Sequence, residues 1–302
     1  MPNNGTVHRP LRLGLVGCGR LAELGYVPAL ASLPEVELAA VADPDAHRRA
    51  LIAANGTRAF GSAEALLDAG AVDALVVASP AREHARHARL AVAAGLPCLV
   101  EKPPAADAVE AQRLAEMGSG IWIGFNRRFQ HGARLLAAAP AEGPLELELE
   151  LRYRRPSWRA LEVADAALID LAPHLVDLVL LITGAEGATV DSARVGEERV
   201  ELALTTPRGR ARLACATDRA YRERAILRDA DGRRIAESAA GGPLRALATR
   251  VPGREHPLVH SLRAQMRAFA AAVRGGDPGL LASAGDGARA MRVIDAAARG
   301  RR

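Results

Sequence analysis

Short apolar runs alternate with helical patterns through the first 126 residues. Leu11 to Gly17, Val36 to Ala42, Ala74 to Ser79, Pro97 to Glu101 and Ile121 to Phe125 are near-continuous apolar stretches, with a shorter run at Arg58-Ala59-Phe60. Between them, helical segments begin near Leu21, Asp45, Ala63, Glu83 and Asp107. A strand apolar on both faces needs cover on both, as in a parallel sheet flanked by helices. Residues 8–126 are therefore predicted to form a doubly wound α/β domain of the Rossmann type.

Beyond Phe125 the period changes. Leu145, Leu147, Leu149, Leu151 and Tyr153 alternate with Glu146, Glu148, Glu150, Arg152 and Arg154, the period of two of a strand with one buried face. Strand-like runs follow at Ala188 to Val195, Arg199 to Thr205, Ala211 to Thr217 and Ala225 to Arg228, and Asp231-Gly232 reads as a hairpin turn. With no helices between them, these strands predict an open, mainly antiparallel sheet. A helical stretch from Ala166 to Ile182 interrupts this half. Two more close the chain, one carrying Leu262, Met266, Phe269 and Val273, the other starting near Asp286. Residues 127–302 are read as an α+β domain for substrate binding and oligomerisation.

Composition narrows the classes. The net charge is +5, but the arginines lie beside Glu and Asp along alanine-rich helical stretches, so a solvated surface is expected and a nucleic-acid partner is not. No apolar run approaches the roughly 20 residues of a membrane span, and the polar start Met1-Pro2-Asn3-Asn4-Gly5-Thr6 does not resemble a secretion signal. Three distant cysteines, Cys18, Cys98 and Cys215, show neither metal-ligand spacing nor a disulfide framework. A cytoplasmic protein without a metal is expected.

Gly17-Cys18-Gly19-Arg20-Leu21-Ala22 follows the first strand and opens the first helix, and Asp43 ends the second strand. The first glycine allows a tight turn, the second lets the backbone approach a pyrophosphate, and the third position, here alanine, packs helix on strand. The helix N-terminus offers N–H groups to phosphates. Asp43 can accept from the adenosine ribose hydroxyls, and its charge, with that of Asp45, disfavours a 2′-phosphate. NAD is thus expected over NADP.

Of the 40 basic side chains only Lys102 is lysine, and it follows an apolar strand in Glu101-Lys102-Pro103. Arginine serves solubility and ion pairing equally well, whereas a compact, tunable ammonium needs lysine. Chance survival of one lysine is the competing reading.

Taken in order, Gly17-Cys18-Gly19, Ser79-Pro80 with His84, Glu101-Lys102-Pro103, Gly124-Phe125-Asn126-Arg127-Arg128-Phe129, and Asp170 followed by His174 and Asp177 resemble the glucose-fructose oxidoreductase / inositol dehydrogenase (Gfo/Idh/MocA) family. The resemblance spans most of the chain. It implies a Rossmann domain, then an α/β domain whose open antiparallel sheet often forms the oligomer interface, here a homodimer or homotetramer. It further implies hydride transfer between a nicotinamide cofactor and a sugar, cyclitol or related hydroxyl carbon. By resemblance Lys102 is the catalytic lysine, and His174 the general acid/base with Asp170 as its partner.

The residues themselves are compatible with those roles. Oxidation of a secondary alcohol needs a group titrating near neutrality to take the hydroxyl proton, which suits His174, and a cation to hold the developing alkoxide, which suits Lys102. Asp170 and His174 share a face if one helix carries both. A satisfied core histidine is the bland alternative. Ser79 and Pro80 end a strand at the cofactor edge, and His84 caps or packs the next helix or supports the dinucleotide indirectly. Glu101 contacts the nicotinamide ribose, orients Lys102 or forms a surface ion pair. Asn126 and Arg127 can reach the cleft. Arg152, Arg154, Arg155 and Arg159, interleaved with Tyr153 and Trp158, hold an anionic substrate group or form a solvated basic edge. Where relatives carry glycines, this chain has Ala164-Asp165-Ala166 and Ala172-Pro173, and Pro173 predicts a kink or a helix start.

The expected function is an NAD(H)-dependent oxidoreductase acting on a polyhydroxylated small molecule: a sugar, nucleotide sugar or cyclitol. A biosynthetic ketone or imine reductase, or a catalytically silent dinucleotide-sensing regulator, are the alternatives.

Overall fold

The computed structural model describes residues 9–53, 56–139, 143–154, 166–241 and 257–300. The apolar runs of the first half form β1 (Leu11–Val16), β2 (Val36–Ala42), β3 (Arg58–Phe60), β4 (Ala74–Val77), β5 (Cys98–Val100) and β6 (Ile121–Ile123). Together with β13 (Ala282–Ser283) they make a seven-stranded sheet in the order β13-β6-β5-β4-β1-β2-β3, parallel except for β13. The strand order reverses at β1, which pairs β2 on one side and β4 on the other. A crevice therefore opens at the carboxyl ends of β1 and β4, where nucleotides bind in sheets of this topology.

Helix starts follow the local chemistry. Asp45 accepts from the His47 and Arg48 N–H groups and caps α2 (Ala46–Ile52), Ser62 caps α3 (Ala63–Asp68), and Asp107 caps α5 (Ala108–Glu116). The first helix departs from the regular form. A π-helical turn over Ala22–Tyr26 precedes α1 (Val27–Ala31). The other helix on this sheet, α4 (His84–Ala93), follows a short 3₁₀ turn.

The second half begins with α6 (His131–Ala137) and β7 (Leu145–Arg154). It continues with α7 (Ala167–Asp170), α8 (Ala172–Thr183), β8 (Thr189–Val195), β9 (Arg199–Thr206), β10 (Gly209–Ala216), β11 (Asp218–Arg228) and β12 (Arg234–Gly241). Six strands form a sheet ordered β12-β11-β7-β10-β9-β8. The expected antiparallel pairing holds except between β7 and β10, which run parallel. The chain leaves β7 through two helices and meanders back from the far edge, so β10 reaches β7 in the same direction. The strand β12 was not anticipated, because Ala236, Ala239, Ala240 and Gly241 dilute its pattern. It pairs β11 across a turn in which Gly232 takes a φ of 76°.

Leu145, Leu147, Leu149 and Leu151 face inward and pack with α8, which is buried along nearly its whole length. The alternating Glu146 and Glu148, with Arg210, Arg212 and Glu201 of neighbouring strands, face outward and are exposed. The predicted helix from Ala166 to Ile182 is two helices, interrupted at Leu171, with Pro173 in the first turn of α8. Proline is tolerated there because its missing N–H has no intrahelical partner.

Not all of the chain after Phe125 stays with the second sheet. In α9 (Pro257–Val273), Leu262, Met266 and Phe269 pack with Leu13, Leu15 and Tyr26 under the parallel sheet. The chain then adds β13 to that sheet's edge, and α10 (Ala284–Arg299) packs on α5 and α8. A buried ion pair fastens the junction. Arg128 donates from Nε and Nη2 to Asp177 at 2.8 and 2.5 Å, and its Nη1 lies 3.5 Å from Asp286. The Arg128 and Asp177 side chains are 6% and 2% exposed. Among the described residues no helix is long and apolar enough to cross a membrane, and no group of His, Cys, Asp and Glu is placed to hold a metal.

Removing one partner of a buried pair strands the other charge. Asp177→Ala is expected to cost about 3–5 kcal/mol of folding stability, read from urea unfolding. A loss under about 1 kcal/mol, the scale of an exposed pair, would overturn this.

Candidate active site

Gly17 directly follows β1 with a φ of 100°, and a Cβ there would lie 2.5 Å from the Ala78 carbonyl oxygen. Only glycine lets the β1 loop lie this close to the end of β4. Gly19 differs, because a Cβ built on it meets nothing within 4 Å. The loop thus faces open space at the residue where a pyrophosphate would approach. Asp43 braces it. Its Oδ2 accepts from the Cys18 N–H at 2.8 Å and its Oδ1 from the Asp45 N–H at 2.9 Å. Each oxygen keeps a further lone pair for a ribose hydroxyl. The Cys18 N–H is therefore used within the chain, and its thiol is buried and pushed up to about 12, first by burial and then by Asp43. Arg20 pairs with Glu23 at 2.6 Å, and Leu21 lies partly buried beside Gly25.

Pro80 starts the 3₁₀ turn before α4. Ser79 is held through both of its oxygens. Its carbonyl lies 2.8 Å from His84 Nε2, and its Oγ lies 2.9 Å from His87 Nδ1. Arg86 Nη1 sits 3.1 Å from His87 Nε2, and guanidinium only donates, so the His87 proton is on Nδ1 and points at Ser79 Oγ. The Ser79 hydroxyl hydrogen is left to serve a ligand. His87, which sequence reasoning passed over, thus sets the polarity of Ser79.

Glu101 directly follows β5 and is buried, so it forms no surface ion pair. Tyr26, carried inward by the π-helical turn, donates to its Oε1 at 2.6 Å, and the Lys102 N–H donates to its Oε2 at 3.2 Å. Gly124 makes room, since a Cβ there would come 2.8 Å from the carboxyl carbon. Burial raises the Glu101 pKa, partly offset by Tyr26 and Lys102, while burial beside Glu101 keeps Tyr26 protonated. Nothing in the apolar context of Tyr26 marked it for this role.

Lys102 reaches across to the second domain. Its Nζ donates to the Asp170 carbonyl at 2.8 Å and to Asp170 Oδ1 at 3.0 Å, with both side chains under one-fifth exposed. The other carboxylate oxygen of Asp170 accepts from the Tyr153 hydroxyl. The expected pairing of Asp170 with His174 is thereby corrected. The break at Leu171 removes the shared helical face, and Asp170 serves Lys102 and Tyr153 instead.

His174 is 6% exposed, packs edge-on against Phe125 with centroids 6.1 Å apart, and its Nδ1 is buried with no hydrogen-bond partner among the described residues. Burial, reinforced by the charges of Lys102 and Arg127, holds it well below the usual histidine range, so the ring is neutral near pH 7. Arg127 is paired with Glu223 of β11, and Asn126 donates to Ser261 of α9 at 3.1 Å. Both are thus anchored within the chain. Trp158, Arg155 and Arg159 lie outside the described residues.

Known proteins share this fold and match its dinucleotide-binding domain. Residues 11–119 match the model of the oxidoreductase family with an NAD-binding Rossmann fold, GFO_IDH_MocA. An inositol 2-dehydrogenase of Leifsonia xyli subsp. xyli is 33% identical over 189 residues, covering 60% of this chain and 56% of that protein. The UDP-N-acetylglucosamine 3-dehydrogenase of Acidithiobacillus ferrooxidans is 36% identical over 191 residues, covering 62% and 58%. These matches span somewhat over half the length of each relative. The crystal structure of GenD2 from gentamicin A biosynthesis, in complex with NAD, superposes with a TM-score of 0.81 at 21% identity over 99% of this chain and 96% of that one. The dinucleotide-binding domain, residues 11–119, thus matches the model of the Gfo/Idh/MocA oxidoreductase family.

Proposed function

We propose that the chain is an NAD(H)-dependent oxidoreductase transferring hydride to or from a secondary hydroxyl or ketone carbon of a sugar, nucleotide sugar or cyclitol. The observation that carries this is the meeting of Lys102, from the dinucleotide-binding sheet, with Asp170, from the second domain, where its charge also acts on a neutral His174 whose Nδ1 has no hydrogen-bond partner among the described residues. A cation and a base within reach of one substrate support this reading. The named relatives act on an inositol and a UDP-sugar, in keeping with a polyhydroxylated substrate.

The dinucleotide fits the residues present. Gly17, Gly19, Arg20 and Leu21 frame the pyrophosphate loop, with Cys18 contributing shape through its tie to Asp43. Asp43 takes the adenosine ribose, and Ser79, Pro80 and Glu101 line the strand ends on the way to Lys102. Bound NAD supplies the hydride acceptor in the oxidative direction. The chain's own part is to manage the proton and the charge. Neutral His174 takes the hydroxyl proton, and the Lys102 ammonium, held in place by Asp170, stabilises the oxygen as negative charge develops. Tyr153 positions Asp170 from the substrate side. In the reductive direction the protonated His174 returns the proton. A panel of polyols and ketosugars, followed by NADH absorbance, tests the reading, and no turnover with any of them under either redox condition counts against it.

The outward face of the second sheet alternates Glu148 and Glu150 of β7 with Arg222, Arg224 and Arg228 of β11. A face of interleaved opposite charges is self-complementary, so we assign it to contact with a second copy. Light scattering is expected to show a homodimer or homotetramer, and a monomer at micromolar concentration would remove the assignment.

Two further outcomes are expected. The Asp43 carboxylate should make NAD(H) bind at least about tenfold more tightly than NADP(H), or about 1.4 kcal/mol, by fluorescence titration, with equal affinities overturning the argument. Lys102→Arg keeps the charge but replaces a compact ammonium with a planar fork. It is expected to abolish turnover as fully as Lys102→Met while leaving folding and NAD affinity intact, and near-normal activity would refute the role of Lys102.

A further inference from the structure

His84 opens α4 with its ring 2% exposed and both nitrogens facing carbonyl oxygens. Nδ1 lies 2.7 Å from the oxygen of Pro103 and Nε2 lies 2.8 Å from the oxygen of Ser79. Carbonyl oxygens only accept, so a hydrogen bond to either needs an N–H from the ring. The two acceptors belong to different parts of the crevice. Ser79 ends the β4 segment, and Pro103 directly follows Lys102. From these contacts we infer that His84 is the positioning residue for Lys102: its ring straps the lysine turn to the end of β4, fixing where the ammonium emerges toward Asp170.

Two further observations support the strap. His87, one turn along α4, holds the side-chain oxygen of the same Ser79, so two imidazoles fix that residue from one helix face. Lys102 has its other end anchored by Asp170, so the lysine is held at its turn and at its tip. Burial first, and then the charged and titratable neighbours Lys102 and His87, oppose a second proton on the ring, while the Pro103 and Ser79 carbonyls favour one, and the balance lowers its pKa. A neutral ring donates to one carbonyl and sets a lone pair against the other. The neutral ring therefore straps through one donated hydrogen bond, to Pro103 or to Ser79, with the other carbonyl in contact.

The proposal rests on the reading of Lys102 as the working amine, but its test needs neither substrate nor cofactor. Lys102 is the only lysine in the chain, so its acylation by acetic anhydride can be followed at one peptide by mass spectrometry. In His84→Leu, which keeps volume and removes both ring nitrogens, Lys102 is expected to acylate about threefold faster or more, because the freed turn opens more often. An unchanged rate in a variant with native circular dichroism would overturn the strap while leaving the hydride-transfer reading standing. Absence of turnover in the unmutated protein with any polyol or ketosugar, alongside a faster rate in His84→Leu, would do the reverse. If His84→Leu does not fold, His84→Gln, whose amide retains N–H donors, is expected to give an intermediate rate. The unmutated protein offers a second measurement. Ring nitrogen-15 shifts of His84 should show at least one N–H hydrogen-bonded to a carbonyl, and a ring with neither nitrogen so bonded would overturn the proposal.

Discussion

The contact between Lys102 and Asp170 is the constraint on which the site depends. It joins the last residues of a parallel strand to the end of a short helix 68 positions away in sequence, and so fixes the second domain over the crevice of the first. An ion pair of limited exposure gains from Coulomb attraction but loses hydration, and it holds only when further hydrogen bonds complete it. Here the Asp170 backbone carbonyl and the Tyr153 hydroxyl do so. The same pair keeps a cation close to His174. Cation and burial act in one direction on that imidazole, keeping it unprotonated and able to accept a proton.

The break at Leu171 makes this arrangement possible. An unbroken helix from Ala166 would stack Asp170 on His174 and turn both toward one partner. Instead α7 ends at Asp170 and α8 starts afresh with Pro173 in its first turn. The carboxylate then faces the lysine while the histidine sits against Phe125. Arg128 and Asp177, deeper in the same helix, fasten α8 to the turn after β6. The base and its support therefore come from successive turns of one buried helix.

Around the lysine the chain uses buried polar residues with few alternatives. Glu101 is held by Tyr26 and has space only because residue 124 is glycine. Ser79 is held by two histidines. Such networks stabilise a unique geometry when every member is satisfied, because an unpaired buried group is costly. Among the described residues His174 Nδ1 is a buried nitrogen without a hydrogen-bond partner, and it lies at the proposed reaction centre.

Local pattern in the sequence determined the elements. The run of two-faced apolar strands required a covered parallel sheet, the alternation from Leu145 to Tyr153 required a half-buried one, and Gly17, Gly19 and Asp43 marked the phosphate loop by spacing alone. The isolation of Lys102 made it the candidate for the working amine proposed above. Pro173 announced the helix break, though not its consequence. What tertiary structure decided were the partners: Lys102 rather than His174 for Asp170, Tyr26 for Glu101, Asp177 for Arg128, and Ser79 and Pro103 for His84. It also decided the parallel pairing of β7 with β10 and the return of α9 and β13 to the first sheet. Periodicity reports how one segment meets solvent. Which charged or polar group meets another across dozens of residues depends on how the segments pack, and no local pattern encodes that.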